Sequence, residues 1–176
     1  MKRSLWIAVL ALAALPCHGA PCSAKAQAEA GRGDEVDVIG AAWDQPIGSE
    51  CDGAERQLRV LVRIDRWRAR GPEPAVKFVW DASVTPYMRW PVAHLAGMPL
   101  YADVGIGFHA ISHTHINRER EMSTAFQFGE FIGAAIQLDG RGDYEFGVRL
   151  QHVSNGGIKH PNDGITYPLV TLSRSF

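Results

Sequence analysis

His152 and Ser154 have the side chains in this sequence best suited to chemistry, and they lie two residues apart in the stretch LQHVSNGGIKHPNDGI, residues 150–165. A hydroxyl within reach of an imidazole is the core of nucleophilic acyl transfer, because the imidazole takes the hydroxyl proton during attack and returns it to the leaving group. Side chains at i and i+2 point the same way on a β-strand. The spacing by itself favours two polar residues at a membrane boundary, and the segment after Ser154 is what favours an active site.

The segment that follows Ser154 could supply the rest of such a site. Asn155, Gly156 and Gly157 bring a side-chain amide and flexible backbone N–H groups next to the hydroxyl. Donors of this kind form the oxyanion hole of acyl-transfer enzymes. The His-x-Ser-Asn-Gly-Gly order therefore predicts a nucleophile, a base and a place for the oxyanion within one short segment.

The elements that must position these residues are β-strands. From Glu35 onward, apolar and polar residues alternate in runs separated by glycine, proline and charged residues, which is the strand signature. The runs predict strands at 36–43, 57–68, 75–88, 99–111, 124–138, 143–154 and 165–176. Residues 21–35 are polar and are interpreted as an N-terminal tail.

One face of each run is apolar and the other carries charged or amide side chains. In 143–154, one face has Tyr144, Phe146, Val148 and Leu150, and the other has Glu145, Arg149 and Gln151. Strands of this length with apolar residues outside and polar residues inside predict an all-β fold, an eight-stranded antiparallel transmembrane β-barrel. His152 and Ser154 share the lipid-facing side. Only seven strands are identified, so we place the eighth between residues 30 and 75.

The order of turns and loops along the chain sets the orientation of the barrel. If the C-terminus is periplasmic, DGRG at 139–142 is a short periplasmic turn, and 112–123 and 155–164 are extracellular loops. Aromatic residues near strand ends are interpreted as interfacial girdles; these are Trp43, Trp67, Tyr87, Trp90 and Tyr101.

The first twenty residues, MKRSLWIAVLALAALPCHGA, combine a basic start, an apolar run and a small-residue exit, which is typical of a secretory signal peptide. We predict a signal peptide at 1–20, with cleavage as late as residue 26, and one barrel domain at 27–176. Cleavage after Ala20 leaves Cys22 able to pair with Cys51, whereas later cleavage leaves Cys51 alone. A formal net charge of −1 shows no basic footprint, so no nucleic-acid partner is expected.

The C-terminal sequence YEFGVRLQHVSNGGIKHPNDGITYPLVTLSRSF resembles the lipid A 3-O-deacylase family (PagL type) in its H-x-S-N-x-G-[IL]-x-x-P-N-x-G pattern before a last strand. The segments TPYMRWPV and MPLYADVGIGFHAIS resemble the middle strands of that family. The resemblance implies a bacterial outer-membrane barrel with a Ser-His-acid triad on its lipid-facing surface. It also implies hydrolysis of the ester-linked 3-hydroxyacyl chain at position 3 of lipid A, with no metal or other cofactor.

The resemblance assigns roles to particular residues. It makes Ser154 the nucleophile, His152 the base, Asn155 and Gly157 oxyanion donors, and Asn162 a support of the loop. The implied partners are lipid A or lipopolysaccharide as substrate and the lipid of the outer membrane, while a homodimer stays open.

The acidic residue of the family falls on Thr166 in this chain. A threonine can hydrogen-bond an imidazole but cannot carry the charge that stabilises an imidazolium. Pairing 124–138 with 143–154 across the 139–142 turn places Glu130 opposite His152, at ~5 Å. We predict Glu130 as the candidate acid, alone or together with Asp163, while an interfacial carboxylate held by a loop cation is the alternative role.

Two alternatives follow from the missing acid and from the histidines. Without an acid, the chain would be a non-enzymatic small outer-membrane barrel derived from the family, or a slow enzyme. His109, His113 and His115 could suggest a metal site. Their spacing is loose and no carboxylate or cysteine accompanies them, so a solvated outer loop is the preferred interpretation and no metal is predicted.

Overall fold

The computed structural model describes residues 23–48 and 56–176. The predicted signal peptide and the cysteines Cys22 and Cys51 lie outside the described residues, so their predictions stand as made. None of the described residues belongs to a helix long and apolar enough to cross a membrane.

Eight antiparallel strands close into a barrel, which confirms the predicted fold. In chain order they are β1 (Lys25–Gly33), β2 (Val36–Pro46), β3 (Gln57–Ala69), β4 (Phe78–Leu95), β5 (Met98–Ile111), β8 (Phe126–Gln137), β9 (Tyr144–Ser154) and β10 (Ile165–Ser175). A short hairpin, β6 (His115–Asn117) with β7 (Arg120–Glu121), interrupts the connection between β5 and β8. The order around the barrel is β1-β10-β9-β8-β5-β4-β3-β2, with β2 closing on β1.

Strand β1 is the one that the sequence interpretation missed. It lies in the segment predicted to be a tail, and most of it precedes the window of residues 30–75, so both predictions are wrong. Its outward positions are the alanines Ala26, Ala28 and Ala30, and its inward positions are polar. This segment does alternate with period two, but alanine is too weakly hydrophobic to make the alternation visible.

The outer wall of the barrel is apolar and the interior is charged, as the alternation predicts. Ile64, Val104 and Leu150 are exposed on the outer wall, where a transmembrane barrel meets lipid. Inside, Arg63 contacts Glu29 and Asp65 at 2.7 and 2.6 Å. Buried charges of this kind are tolerated because they are paired.

The prediction of aromatic girdles is wrong for three of the five residues. Trp67, Tyr87 and Tyr101 are buried inside the barrel. Each points to the same side of its strand as the interior residue two positions away. Trp43 is exposed on the outer wall, where it stacks on Phe176 with ring centroids 5.9 Å apart.

One end of the barrel carries the connections 70–77, 112–125 and 155–164, and we call it the loop end. Beneath these loops the interior becomes apolar, and Val153 and Ile165 belong to this buried cluster together with Ile116 and Met122 from the β6–β7 segment. Because side chains alternate along a strand, burial of Val153 and Ile165 forces their neighbours His152, Ser154 and Thr166 to face outward. The core at the loop end therefore sets the register of the candidate site.

Candidate active site

His152 is held by a hydrogen bond to the strand beside it. Thr166 of β10 lies directly opposite His152 of β9 in the ladder, and His152 Nδ1 and Thr166 Oγ1 are 2.8 Å apart. An imidazole that carries its proton on Nδ1 donates it to the threonine oxygen and leaves Nε2 free to accept a proton. Thr166 thus occupies the orienting position next to the candidate base.

Gly164 lies next to both the candidate base and the candidate nucleophile. A Cβ atom placed on Gly164 would lie 2.9 Å from His152 Cε1, 3.3 Å from His152 Nε2 and 3.4 Å from Ser154 Cβ. The φ of Gly164 is +59°, which side chains other than glycine rarely adopt. The Nε2 edge of the ring and the carbon that bears the Ser154 hydroxyl therefore border the same small space.

Ser154 has no hydrogen-bond partner for its hydroxyl among the described residues, and the side chain is half-buried. In structures without substrate, the hydrogen bond between nucleophile and base is often long or absent and forms only when substrate binds. The hydroxyl is accessible from the outer wall of the barrel.

Glu130 lies on the other side of the imidazole from Thr166. The ladder pairs Glu130 of β8 with His152 of β9, which confirms the register predicted from the sequence. The side chain is exposed and its carboxylate makes no hydrogen bond or ion pair within the described residues. A carboxylate on a lipid-facing wall is unfavourable unless it serves a function or finds a partner.

An apolar groove of about 610 Å³ begins at these residues. Glu130, His152 and Thr166 lie on its border, and the rest is lined mainly by apolar residues of β3, β4, β5, β8 and β9, among them Leu58 and Met88. This volume is in the range of small-molecule sites. The groove therefore extends from the candidate chemical groups along the lipid-facing wall.

The loop after Ser154 is ordered by the side chain of Asn155. Asn155 is buried; its Nδ2 donates to the carbonyls of Met122 and Lys159, at 2.8 and 2.7 Å, and its Oδ1 accepts the N–H of Gly157 at 2.9 Å. The backbone N–H of Asn155 donates to Asn162 Oδ1 at 3.0 Å. Both N–H groups predicted as oxyanion donors, those of Asn155 and Gly157, are thus occupied within the loop. The N–H of Gly156, between them, has no acceptor among the described residues.

The Asp163 carboxylate binds β7, and no hydrogen bond or ion pair joins it to His152 among the described residues. Its Oδ2 accepts the backbone N–H of Glu121 at 2.8 Å and its own N–H donates to the Glu121 carbonyl at 3.1 Å. The carboxylate therefore connects the 155–164 loop to β7.

The three histidines considered for a metal site have separate neighbours. His109 is buried in the barrel, where its Nδ1 is 2.8 Å from Asp81 Oδ2, so the interpretation as a solvated loop residue without a carboxylate neighbour is wrong for this histidine. His113 Nδ1 lies 2.9 Å from Ser112 Oγ and His115 Nδ1 lies 3.6 Å from Glu121 Oε2. Within residues 23–48 and 56–176 no group of three or more potential metal ligands is found.

Asp34 is a neighbour of the site that the sequence analysis did not consider. It follows β1 directly, and its Oδ2 accepts the backbone N–H of Thr166 at 3.1 Å. The sequence does not reveal this contact, because the weakly hydrophobic alanines of β1 make the strand resemble a polar tail. Had β1 been recognised, its pairing with β10 would have placed Asp34 beside Thr166.

The fold and the site define a small eight-stranded membrane β-barrel with a Ser-His pair on its lipid-facing wall. The model of the family described as Lipid A 3-O-deacylase (PagL) matches residues 37–175. The chain belongs to this family, which confirms the resemblance seen in the sequence.

Individual relatives agree with this assignment. The chain is 29% identical to the lipid A deacylase PagL of Bordetella bronchiseptica, over 99% of this chain and 96% of that protein. It is 35% identical to the lipid A deacylase PagL of Pseudomonas aeruginosa over 65 residues, which is 37% of this chain and 36% of that protein.

Solved structures show the same fold. The crystal structure of the outer membrane enzyme PagL superposes with a TM-score of 0.73 at 19% identity, covering 86% of this chain and 99% of that one. Neisserial surface protein A (NspA) superposes with a TM-score of 0.53 at 9% identity, covering 87% and 96%. The chain is an outer-membrane β-barrel protein.

Proposed function

We propose that this protein is a lipid A 3-O-deacylase that hydrolyses the ester-linked 3-hydroxyacyl chain at position 3 of lipid A. The observation that carries the proposal is the His152–Thr166 hydrogen bond of 2.8 Å, on the outer wall, next to Ser154 and at the mouth of an apolar groove. Family membership supports the choice of lipid A and of the 3-O-acyl ester. A site on the lipid-facing wall suits a substrate that is itself a membrane lipid.

The chemistry divides into two acyl transfers. Ser154 Oγ attacks the ester carbonyl carbon while His152 Nε2 takes the hydroxyl proton, and Nδ1–H stays bonded to Thr166. The tetrahedral intermediate then collapses: the bond from the carbonyl carbon to the sugar oxygen breaks, and His152 returns the proton to that oxygen. Water, deprotonated by His152, attacks the acyl-enzyme, and the fatty acid leaves as Ser154 regains its proton.

The loop after Ser154 is the proposed source of oxyanion stabilisation. The N–H of Gly156 has no acceptor among the described residues, and it is two residues from the attacking oxygen along the chain. The N–H groups of Asn155 and Gly157 lie beside it. To bind the oxyanion, the Asn155 N–H has to leave Asn162 Oδ1, and the Gly157 N–H has to leave Asn155 Oδ1. We assign Gly156 as the first donor, with Asn155 and Gly157 as the groups that join it when substrate binds.

The groove is the proposed place of the acyl chain. Its lining is apolar and it faces the lipid, so a chain can enter from the bilayer without crossing water. Because Glu130, His152 and Thr166 border the groove, a chain lying in it presents its ester to the catalytic groups. Because the chain comes from lipid and not from water, van der Waals packing against the groove, and not the hydrophobic effect, would favour its binding.

Glu130 is proposed to stabilise the imidazolium from across the strand. Glu130→Gln is expected to lower kcat/KM by about tenfold, because one charge near a protonated imidazole is worth on the order of 1–3 kcal/mol at an effective dielectric constant near 20. The measurement is the rate of fatty-acid release from lipopolysaccharide by the purified, refolded protein. Glu73→Gln, an exposed change at the same end of the barrel, is the matched control. A fully active Glu130→Gln protein would remove Glu130 from the mechanism.

Mass spectrometry of lipid A tests the function itself. Cells with an unmodified lipid A express the protein, its Ser154→Ala variant or an empty vector, and outer-membrane insertion is verified for both proteins. We expect lipid A that lacks one 3-hydroxyacyl group only with the intact serine. Unchanged lipid A from a folded barrel would contradict the proposal and favour the non-enzymatic barrel derived from the family.

A further inference from the structure

Where β1 ends beside β10, the Asp34 carboxylate takes the place of a backbone carbonyl as the acceptor of the Thr166 N–H. The Asp34 N–H donates to the Thr166 carbonyl at 3.0 Å, as expected for a hydrogen-bonded pair in an antiparallel ladder. In such a pair the Thr166 N–H would return the bond to the Asp34 carbonyl. Here it donates instead to the carboxylate, at Oδ2 and 3.1 Å.

The backbone around Asp34 explains the exchange. Glu35 has a φ of +58°, so the chain turns sharply after Asp34 and enters β2. On the other side, Gly33 lies so close to β10 that a Cβ atom there would be 2.5 Å from Tyr167 Cα. The glycine lets β1 approach Thr166, and the turn leaves the carboxylate to satisfy the Thr166 N–H.

This contact connects Asp34 to the candidate base. Thr166 binds the Asp34 carboxylate through its N–H and His152 Nδ1 through its hydroxyl oxygen. The carboxylate and the imidazole are therefore separated by one threonine residue. Asp34 makes no ion pair with any described residue, so its charge is not cancelled by a direct partner.

We propose that Asp34 is a positioning residue that orients Thr166 and, through it, stabilises the protonated His152, taking over part of the role of the missing family acid. The proposal rests on the proposed deacylase function. As Ser154 loses its proton to Nε2, the positive charge that forms on the ring lies on the side of Thr166 and Asp34. No proton moves to Asp34, and the Thr166 hydroxyl remains the direct acceptor of Nδ1–H.

Asp34 and Glu130 act from opposite sides of the ring. Glu130 is the cross-strand neighbour on β8, whereas Asp34 works through β10. Asp34 is exposed, so solvent screens its charge and its effect is modest. Asp34 also accepts the backbone N–H of Thr166, the residue whose hydroxyl His152 contacts, and Glu130 has no such contact.

Steady-state kinetics of Asp34→Asn test the proposal. Asparagine keeps a side-chain oxygen for the Thr166 N–H but has no charge, so we expect kcat to fall by about two- to fivefold with KM unchanged. Asp37→Asn, which removes a carboxylate from the same β1–β2 hairpin, should leave both constants unchanged. If Asp34→Asn does not refold, Asp34→Ser keeps an acceptor and serves for the same comparison.

A second background separates positioning from a structural role. In Thr166→Glu the carboxylate contacts the imidazole directly, so adding Asp34→Asn should no longer lower kcat. A normal kcat for Asp34→Asn in the parent, or the same loss in both backgrounds, would overturn the proposal. Ser154→Ala in the same assay separates the deacylase mechanism from the role of Asp34. An active Ser154→Ala protein refutes the deacylase mechanism. An inactive Ser154→Ala protein together with a fully active Asp34→Asn protein refutes only the role of Asp34.

Discussion

Replacing Ser154 with alanine is expected to lower the rate of lipid A deacylation by at least about 10³-fold while the barrel stays folded. Removal of the nucleophile from a serine hydrolase leaves only the catalysis that comes from binding and from the oxyanion donors. The Ser154 hydroxyl makes no hydrogen bond among the described residues. Its loss therefore removes chemistry without leaving a buried polar group unpaired.

The variant is measured against the parent by release of 3-hydroxy fatty acid from purified lipopolysaccharide in detergent micelles. Folding is judged by the heat-modifiable electrophoretic mobility of the barrel. Ser112→Ala, a serine of the 112–125 connection at the same end, is the matched control and should retain activity. A Ser154→Ala protein within tenfold of the parent would exclude Ser154 as the nucleophile.

The alternation of residues was enough to predict most of the fold. Seven strands and the pairing of Glu130 with His152 follow from it, because apolar outward residues and a short turn define the register. Strand β1 could not be predicted in the same way, because its outward residues are alanines. Trp67 shares its face of β3 with Arg63 and Asp65, so its burial follows from the alternation, whereas its position near a strand end wrongly suggests a girdle.

The candidate site was predictable where it depends on a pattern, and not where it depends on contacts of the loop. His152, Ser154 and the substitution at Thr166 are visible in the sequence. The sequence does not show that the Asn155 side chain accepts the N–H of Gly157. This turn depends on how the 155–164 loop packs against Met122. Asp34 was hidden for a related reason, since its contact with Thr166 exists only once β1 closes the barrel.

Restoring a carboxylate at position 166 is expected to accelerate the enzyme. Thr166→Glu should raise kcat by about 10- to 100-fold, because the side chain next to His152 Nδ1 would then be an acceptor with a negative charge. Replacing the triad aspartate with asparagine in another serine hydrolase costs about 10⁴-fold, because the imidazole is then held in the wrong tautomer. The expected gain is smaller here because Glu130 and Asp34 already supply charge near the ring.

Thr166→Gln is the control that separates charge from side-chain length. Thr166 is half-buried and borders the open groove, so a longer side chain can extend along the outer wall without entering the core. Glutamine matches glutamate in size and still offers an acceptor, so it should give no gain over the parent. Equal rates for Thr166→Glu and Thr166→Gln would show that the charge on the imidazolium does not limit the reaction. If the parent protein is inactive and the Thr166→Glu variant is an active deacylase, the barrel is disabled at this one position. The nucleophile, the base and the groove would then be intact.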